Sequence, residues 1–260
     1  MANTATDELV RTQHGPVLIL RLNRPDARNA LTGSLLNAIG SAVNEAEADP
    51  DTRVVVLTAT GDRAFCAGMD LRAFADGDSI GLDSEDGLGY QRLCEGTLSI
   101  PVVGAVNGSA VGGGLELLLG CDVVVSSSAA KFALPEVSRG LFPAGGGTSL
   151  GTRIPLGAAL ELTLTGDAIT AERARELGLV NAVVDPEQVL ESALRYAERI
   201  AANAPLGLAA CKELVRLAVT APDRVADRLG HWQSTVFGSA DAREGAVAFV
   251  EKRAPVWQGR

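Results

Sequence analysis

Histidine is scarce in this chain: 260 residues contain only His14 and His231. So few imidazoles leave little room for a His-rich metal site, and no metal is expected. Cysteine is sparse as well. Cys66, Cys94, Cys121 and Cys211 show no C-x-x-C spacing, which leaves zinc and redox motifs unsupported. Four cysteines in so long a chain do not make a disulfide scaffold, and they read as buried thiols in a reducing compartment. Residues 1–10 are polar and include Asp7 and Glu8, unlike a secretory signal. Unbroken apolar runs are also missing. The most apolar stretch, Val102 to Val125, is interrupted by six glycines, Glu116 and Asp122, so it reads as buried core rather than a membrane span. A cytoplasmic protein is the expectation. Positive charge is in deficit, with 23 Lys and Arg against 32 Asp and Glu and a net charge of −9. That balance argues against nucleic acid or an anionic membrane as partner.

What remains is a globular composition, 47% hydrophobic and 21% charged. The 29 glycines stand out, because glycine marks tight turns and close backbone approach to a ligand. Val17 to Leu22 reads as a strand ended by the turn Asn23-Arg24-Pro25-Asp26. Thr32 caps a helix to about Ala48, with Leu35, Leu36, Ile39 and Val43 on one face. Arg53 to Ala59 is a strand buried on both faces, Gly61 to Gly68 a loop, and Val102 to Val106 and Val123 to Val125 two further strands. The pattern is an α/β class with a mostly parallel sheet. Asp76 to Gly89, with five acids and four glycines, reads as a solvated loop or a lid near a ligand. From Ala158 onward, helices are expected at about 158–164, 171–177, 187–202, 205–219, 222–236 and 240–252, with a possible strand at Val180 to Val184.

Three segments can carry chemistry. Ala64 to Leu71 (AFCAGMDL) follows a buried strand, and its small residues and free N–H groups suit an oxyanion; an ordinary strand-to-helix turn reads the same way. Asn107 to Glu116 (NGSAVGGGLE) places three glycines at a helix start, where they are poor helix formers. Glu116 stands among leucines, where a carboxylate's pKa rises toward acid/base service; the alternative is a glutamate that satisfies the helix N-terminus. Glu136 follows Pro135 in stiff, apolar surroundings, or it could pair on the surface with Arg139. Two carboxylates from separate glycine-rich loops would make an acid/base pair. Gly147-Thr148-Ser149-Leu150-Gly151 matches the G-x-S-x-G nucleophile elbow, with Asp227 and His231 following in order. The residues before Ser149 include Pro143 and two glycines and cannot form the buried strand that an elbow needs.

Taken in order, these blocks resemble the crotonase, or enoyl-CoA hydratase/isomerase, superfamily. The resemblance rests on Asn23-Arg24-Pro25 with Arg28-Asn29-Ala30-Leu31, on Ala64 to Leu71, on Asn107 to Glu116, on Pro135-Glu136 with Gly140, and on Leu164-Thr165-Gly166 with Ala171 to Val180. It spans nearly the whole chain. It implies a spiral of repeated ββα units over residues 1–200 and a helical C-terminal trimerisation part over residues 201–260, assembled as a homotrimer or a dimer of trimers. The implied substrate is an acyl-CoA thioester, with coenzyme A as part of the substrate and no separate cofactor. The implied reaction is hydration of a 2,3-enoyl-CoA; isomerisation, a specialised dehydration or acyl-CoA binding without catalysis are the alternatives. By motif position the resemblance assigns Glu116 and Glu136 as the catalytic pair and the backbone N–H groups of Met69 and Gly113 as the oxyanion hole. Arg28, Ala67, Asp70, Leu71 and Lys252 are the coenzyme A contacts it implies. Met69 departs from the alanine found in many hydratases, and with the Asp76 to Gly89 insert it bears on acyl-chain selection.

Overall fold

The protein is described here by a computed structural model covering residues 7–72 and 83–260. A six-stranded sheet has the order β1-β2-β3-β5-β7-β10, and a four-stranded sheet the order β4-β6-β8-β9. β1 (Leu9–His14) is an antiparallel edge on β2 (Val17–Leu22). β2, β3 (Val54–Ala59), β5 (Val102–Val106), β7 (Val123–Ser127) and β10 (Ala182–Val184) are all parallel. In the small sheet β4 (Ala64–Cys66), β6 (Ser109–Val111) and β8 (Lys131–Ala133) run parallel, and β9 (Ile169–Thr170) closes it antiparallel.

The sequence order of these strands produces the expected spiral. β3/β4, β5/β6 and β7/β8 are consecutive pairs, and each pair sends its first strand to the large sheet and its second to the small one. A helix follows each pair: α2 (Glu85–Glu95), α3 (Gly113–Gly120) and α4 (Leu156–Thr165). Every residue of β3 is buried because both faces are covered. Val55 and Leu57 join Leu35 and Ile39 of α1 (Gly33–Ala48) in the larger core. Val54 and Val56 face the other way, onto Val189, Ala193 and Ala197 of α6 (Val189–Ala201). The four-residue spacing of those last three puts them on one stripe of the helix. Between these, α5 spans Ala171–Glu176.

The C-terminal helices α7 (Pro205–Thr220), α8 (Val225–Phe237) and α9 (Ala240–Glu251) match the expected spans closely. Lys212 Nζ donates to the Ile100 carbonyl at 2.8 Å and pairs with Asp122 at 2.9 Å. Arg216 adds a second bond to Asp122 Oδ1 at 2.8 Å. These contacts tie α7 to the starts of β5 and β7. Among the described residues no helix is long and apolar enough to cross a membrane.

Several expectations are corrected. Glu85 to Gly89 are not loop but the first turns of α2, capped by Ser84 Oγ, which accepts the Gly87 N–H at 2.9 Å. Gly40 of α1 and Gly120 of α3 admit α2 at backbone contact: a Cβ on either would stand 1.7 Å from a carbonyl of α2, at Asp86 or Leu93. Residues 76–82 of the expected loop lie outside the described residues. The Gly61 to Gly68 loop contains β4, a strand too short to show a pattern. Cys66, Cys94 and Cys121 are buried thiols, but Cys211 is exposed, because α7 buries little beyond Ala210.

Candidate active site

Three segments leave the carboxyl ends of neighbouring strands of the small sheet, the end where parallel sheets place ligands. Residues 67–71 follow β4, Gly112 and Gly113 follow β6, and Leu134 to Glu136 follow β8. The β4–β6–β8 order therefore brings three distant stretches of sequence side by side. Gly112 N–H donates to the Ala133 carbonyl at 2.9 Å, stitching the second segment to the third.

The orientation of two peptide planes follows from their carbonyls. The Gly68 carbonyl accepts the Leu31 N–H at 2.8 Å, and Asp70 N–H donates to the Leu31 carbonyl at 2.9 Å. These two bonds make a parallel bridge between Leu31 and Met69 that does not use the Met69 N–H. In a planar trans peptide the N–H points opposite to the C=O, so the Met69 N–H faces away from Leu31. The Gly112 carbonyl accepts from Leu115 at 2.8 Å and Glu116 at 3.0 Å, as the first bonds of α3. The Gly113 N–H accordingly leaves the helix at its positive end, with no intrahelical partner. Gly68 (φ +89°) and Gly112 (φ +56°) both lie in the left-handed region that makes these plane orientations accessible. The two loops touch: a Cβ on Gly68 would stand 3.2 Å from the Gly113 nitrogen.

Glu116 lies in the first turns of α3 and is only 7% exposed. Its Oε1 accepts the Gly147 N–H at 2.9 Å, and the Gly145 N–H also bonds to it. Burial pushes its pKa above the ordinary glutamate value; the Gly147 bond opposes this, the nearby Glu136 carboxylate adds to it, and the Gly145 bond opposes it. A Cβ on Gly145 would stand 2.6 Å from Glu116 Oε2. The glycines at 145 and 147 are thus required by the carboxylate they surround.

Glu136 begins a 3-10 turn, Glu136–Arg139. A Cβ on Gly112 would stand 2.8 Å from its Oε1. Its Oε2 is buried without a hydrogen-bond partner, one of two such side-chain atoms among the described residues, with Asn107 Oδ1. No Arg139 pair restrains it there: the Arg139 guanidinium donates to the Pro135 carbonyl at 3.4 Å. The two carboxylates and the two loop N–H groups therefore share one neighbourhood.

Of the other residues expected to bind, Arg28, Ala67, Asp70 and Leu71 are brought together. Ala67 N–H donates to the Arg28 carbonyl at 3.1 Å, the Arg28 side chain is exposed, and Leu71, four residues on from Ala67 in the same loop, is exposed as well. The Asp70 carboxylate accepts from Arg24 Nη2 at 3.1 Å. Lys252 caps α9 in the left-handed conformation (φ 54°) with an exposed side chain, and no hydrogen bond or ion pair among the described residues joins it to that loop.

The serine-hydrolase arrangement is not built. Ser149 lies in a 3-10 turn, Gly147–Thr152, and its hydroxyl donates to the Gly146 carbonyl at 2.7 Å. His231 lies on α8, its ring edge against Trp232. His14 ends β1, 3.6 Å from Glu198. Sequence reasoning missed α2, whose Tyr90 and Cys94 hydrogen-bond to each other within the electrostatic reach of Glu116. Burial holds both groups in their neutral forms. The apolar spacing Tyr90, Leu93, Cys94 was the available signal.

Comparison with known proteins adds four findings. A profile of the enoyl-CoA hydratase/isomerase family matches residues 12–260. A carnitinyl-CoA dehydratase of Salmonella typhi is 40% identical over 263 residues, 98% of this chain and 100% of the relative. Among solved structures, an enoyl-CoA hydratase of Mycobacterium tuberculosis H37Rv superposes with a TM-score of 0.90 at 40% identity, covering 98% of this chain and 100% of that one. A carnitinyl-CoA hydratase of Mycobacterium avium gives 0.77 at 41% identity, with the same coverage.

Proposed function

The chain belongs to the enoyl-CoA hydratase/isomerase family, the crotonase superfamily, and on that premise we propose that it adds water across the 2,3 double bond of a trans-2-enoyl-CoA to give a 3-hydroxyacyl-CoA. The observation that carries this reading is the meeting of Glu116 and Glu136 beside the Gly68–Met69 and Gly112–Gly113 peptides.

In the proposed reaction the thioester carbonyl oxygen lies between the Met69 and Gly113 N–H groups. Ionised Glu116 takes a proton from water as the water oxygen bonds to C3. The π electrons move to the thioester oxygen, giving an enolate that the two N–H groups stabilise. Such a donor is worth about 3–4 kcal/mol in acyl chemistry. The enolate then collapses as C2 takes the proton of neutral Glu136, and the two glutamates exchange the proton balance with solvent. Burial raises the Glu116 pKa on balance, and the N–H bonds from Gly147 and Gly145 oppose that rise and help the carboxylate to ionise for this step. The unpartnered Oε2 of Glu136 is free to carry and deliver a proton.

The exposed Arg28 guanidinium supports binding of the coenzyme A phosphates by a chain of net charge −9, with Ala67 bonded to the Arg28 carbonyl and Asp70 and Leu71 following in the same loop. Coenzyme A enters as part of the substrate, and the chemistry needs neither metal nor separate cofactor. Exposed Phe237 (81%), Phe249 (86%) and Val250 (78%) on the C-terminal helices support assembly into a homotrimer or a dimer of trimers. In such an assembly Lys252 would meet coenzyme A on a neighbouring subunit.

Dehydration of carnitinyl-CoA is the second reading, favoured by the 40% identity to a full-length carnitinyl-CoA dehydratase. The test is turnover of crotonyl-CoA and carnitinyl-CoA side by side, followed by absorbance of the conjugated thioester and by product mass. Gain of one water by crotonyl-CoA with no reaction of carnitinyl-CoA supports the first reading. Selective loss of water from carnitinyl-CoA supports the second. Release of free CoA or binding without turnover would contradict both.

A further inference from the structure

We propose that Arg24 is the positioning residue of the oxyanion hole, a clamp that fixes the direction of the Met69 N–H; this rests on the hydratase reading above. One guanidinium spans the Leu31–Met69 bridge. Its Nη1 donates to the carbonyl of Ala30, the residue before Leu31, and its Nη2 to Oδ2 of Asp70, the residue after Met69, at 3.1 Å. Its Nε pairs with Glu8 Oε1 at 2.8 Å, and Glu8 Oε2 accepts the Thr32 hydroxyl at 2.8 Å. Both chains of the bridge are therefore gripped by a single planar group that is itself held from behind. Among the described residues the Gly68–Met69 peptide between them has one structural bond of its own, from Leu31 N–H to the Gly68 carbonyl. Gly68 at φ +89° gives that peptide little intrinsic preference for its plane. The clamp braces the bridge on both sides and so holds the plane that the backbone bonds of Leu31 set.

The base of the clamp is rigid as well. Arg24 N–H donates to Oδ1 of Asn29 at 2.9 Å. Asn29 is 1% exposed and sends Nδ2 to the carbonyls of Thr60 and Ala64 at 3.0 and 2.9 Å. Arg28 and Asn29 both adopt positive φ, so the chain turns sharply to bring residue 24 back over residue 30. Lysine cannot reproduce this, because a point ammonium lacks the planar fork that reaches two acceptors in different directions.

The experiment compares Arg24→Lys, Arg24→Gln and Asp70→Asn with the unaltered enzyme on crotonyl-CoA, measuring kcat, KM and thermal unfolding. Binding of acetoacetyl-CoA is measured in parallel, because its bound enolate has a distinct ultraviolet absorbance and reports on oxyanion stabilisation without turnover. The expectation is a kcat lower by about tenfold to a hundredfold for both Arg24 variants, the cost of misplacing a reacting group by a fraction of an ångström to an ångström. KM should change less than kcat, and the fraction of acetoacetyl-CoA bound as enolate should fall in step with kcat. Asp70→Asn should show the same enolate loss from the other end of the bond. Full kcat and enolate binding in Arg24→Lys would overturn the clamp and make Arg24 a simple charge. So would a rise in KM alone that salt reproduces, which would make Arg24 a phosphate contact. A variant that unfolds with no loss of enolate binding in its folded fraction would leave Arg24 a stability residue and overturn the proposal. If the unaltered enzyme hydrates nothing yet binds the enolate in an Arg24-dependent way, the hydratase reading fails and the clamp stands.

Discussion

Gly147 donates its backbone N–H to Glu116 Oε1 at 2.9 Å, so a carboxylate on α3 is aimed by a loop 31 positions further along the chain. Gly145, two residues earlier, leaves no room for a side chain, since a Cβ there would stand 2.6 Å from Glu116 Oε2. Gly145→Ala should therefore move the carboxylate and lower kcat by about a hundredfold, with the fold retained. Steady-state kinetics with a circular dichroism spectrum checks this. Unchanged kcat would show that Glu116 tolerates displacement.

The two carboxylates should be separable by substitution. Glu116→Gln and Glu136→Gln each remove one proton-transfer group, and each should lower kcat by about 10² to 10⁴. Affinity for the CoA thioester should stay within a few-fold. Equilibrium binding of a saturated acyl-CoA measures the second quantity. Full turnover by either variant would remove that residue from the proposed mechanism.

Glu116 also gives stability a pH dependence. Its folded pKa is raised, chiefly by burial, above the ordinary value of about 4.5 that it has when unfolded. Between those two values the folded state holds more protons than the unfolded state, so stability falls as pH rises through the folded pKa. Glu116→Gln has no proton to lose. Denaturant unfolding across a pH series should show a flatter profile for the variant above pH ~4.5, and the variant should be the more stable of the two at neutral pH. Parallel profiles would contradict the raised pKa.

The seat of α2 is set by two glycines. A Cβ on Gly40 would stand 1.7 Å from the Asp86 carbonyl, and one on Gly120 at 1.7 Å from the Leu93 carbonyl. Both obstacles are backbone, which cannot rotate away. Gly40→Ala or Gly120→Ala should each destabilise the protein by about 1–3 kcal/mol or more, as overpacked interiors do. The midpoint of denaturant unfolding reports it, and an unchanged midpoint would mean that α2 is free to shift.

The attachment of the C-terminal helices runs through Asp122, which accepts from Lys212, Arg216 and the Val102 N–H. Lys212 is buried, and desolvation pulls its pKa down while Asp122 opposes that shift. Asp122→Asn leaves two cations facing a neutral amide. The expected cost is about 2–3 kcal/mol, below that of a fully buried pair because Asp122 and Arg216 are partly solvated. Replacing Lys212 with Met in the same background should recover part of the loss. Additive effects would show that the two residues are not coupled.

Much of the α/β core was legible because buried parallel strands such as Val54–Ala59 are continuous apolar runs bounded by turns. The C-terminal helices were legible because each presents apolar residues at helical spacing. The short strands of the second sheet were not. Ala64–Cys66 and Lys131–Ala133 are three residues long, and their pairing is decided by distant strands rather than by local pattern. α2 was hidden by its own composition, since Gly87 and Gly89 serve close packing on α1 while reading as loop. Glu116 and Glu136 could be named from motif position, but their proximity is a product of the β6–β8 pairing. Arg24 reads in sequence as one residue of a turn. Its reach to Ala30 and Asp70 depends on two consecutive positive-φ residues that no periodicity announces.

The proposed reaction is the addition of water to an enoyl thioester. It is tested most directly by incubating the enzyme with crotonyl-CoA in water enriched in heavy oxygen and identifying the product by mass. The expected product is a 3-hydroxyacyl-CoA carrying one heavy oxygen on C3, formed by the unaltered enzyme and lost in both Glu116→Gln and Glu136→Gln. Recovery of unchanged crotonyl-CoA, of an isomer without added oxygen, or of free CoA would contradict it.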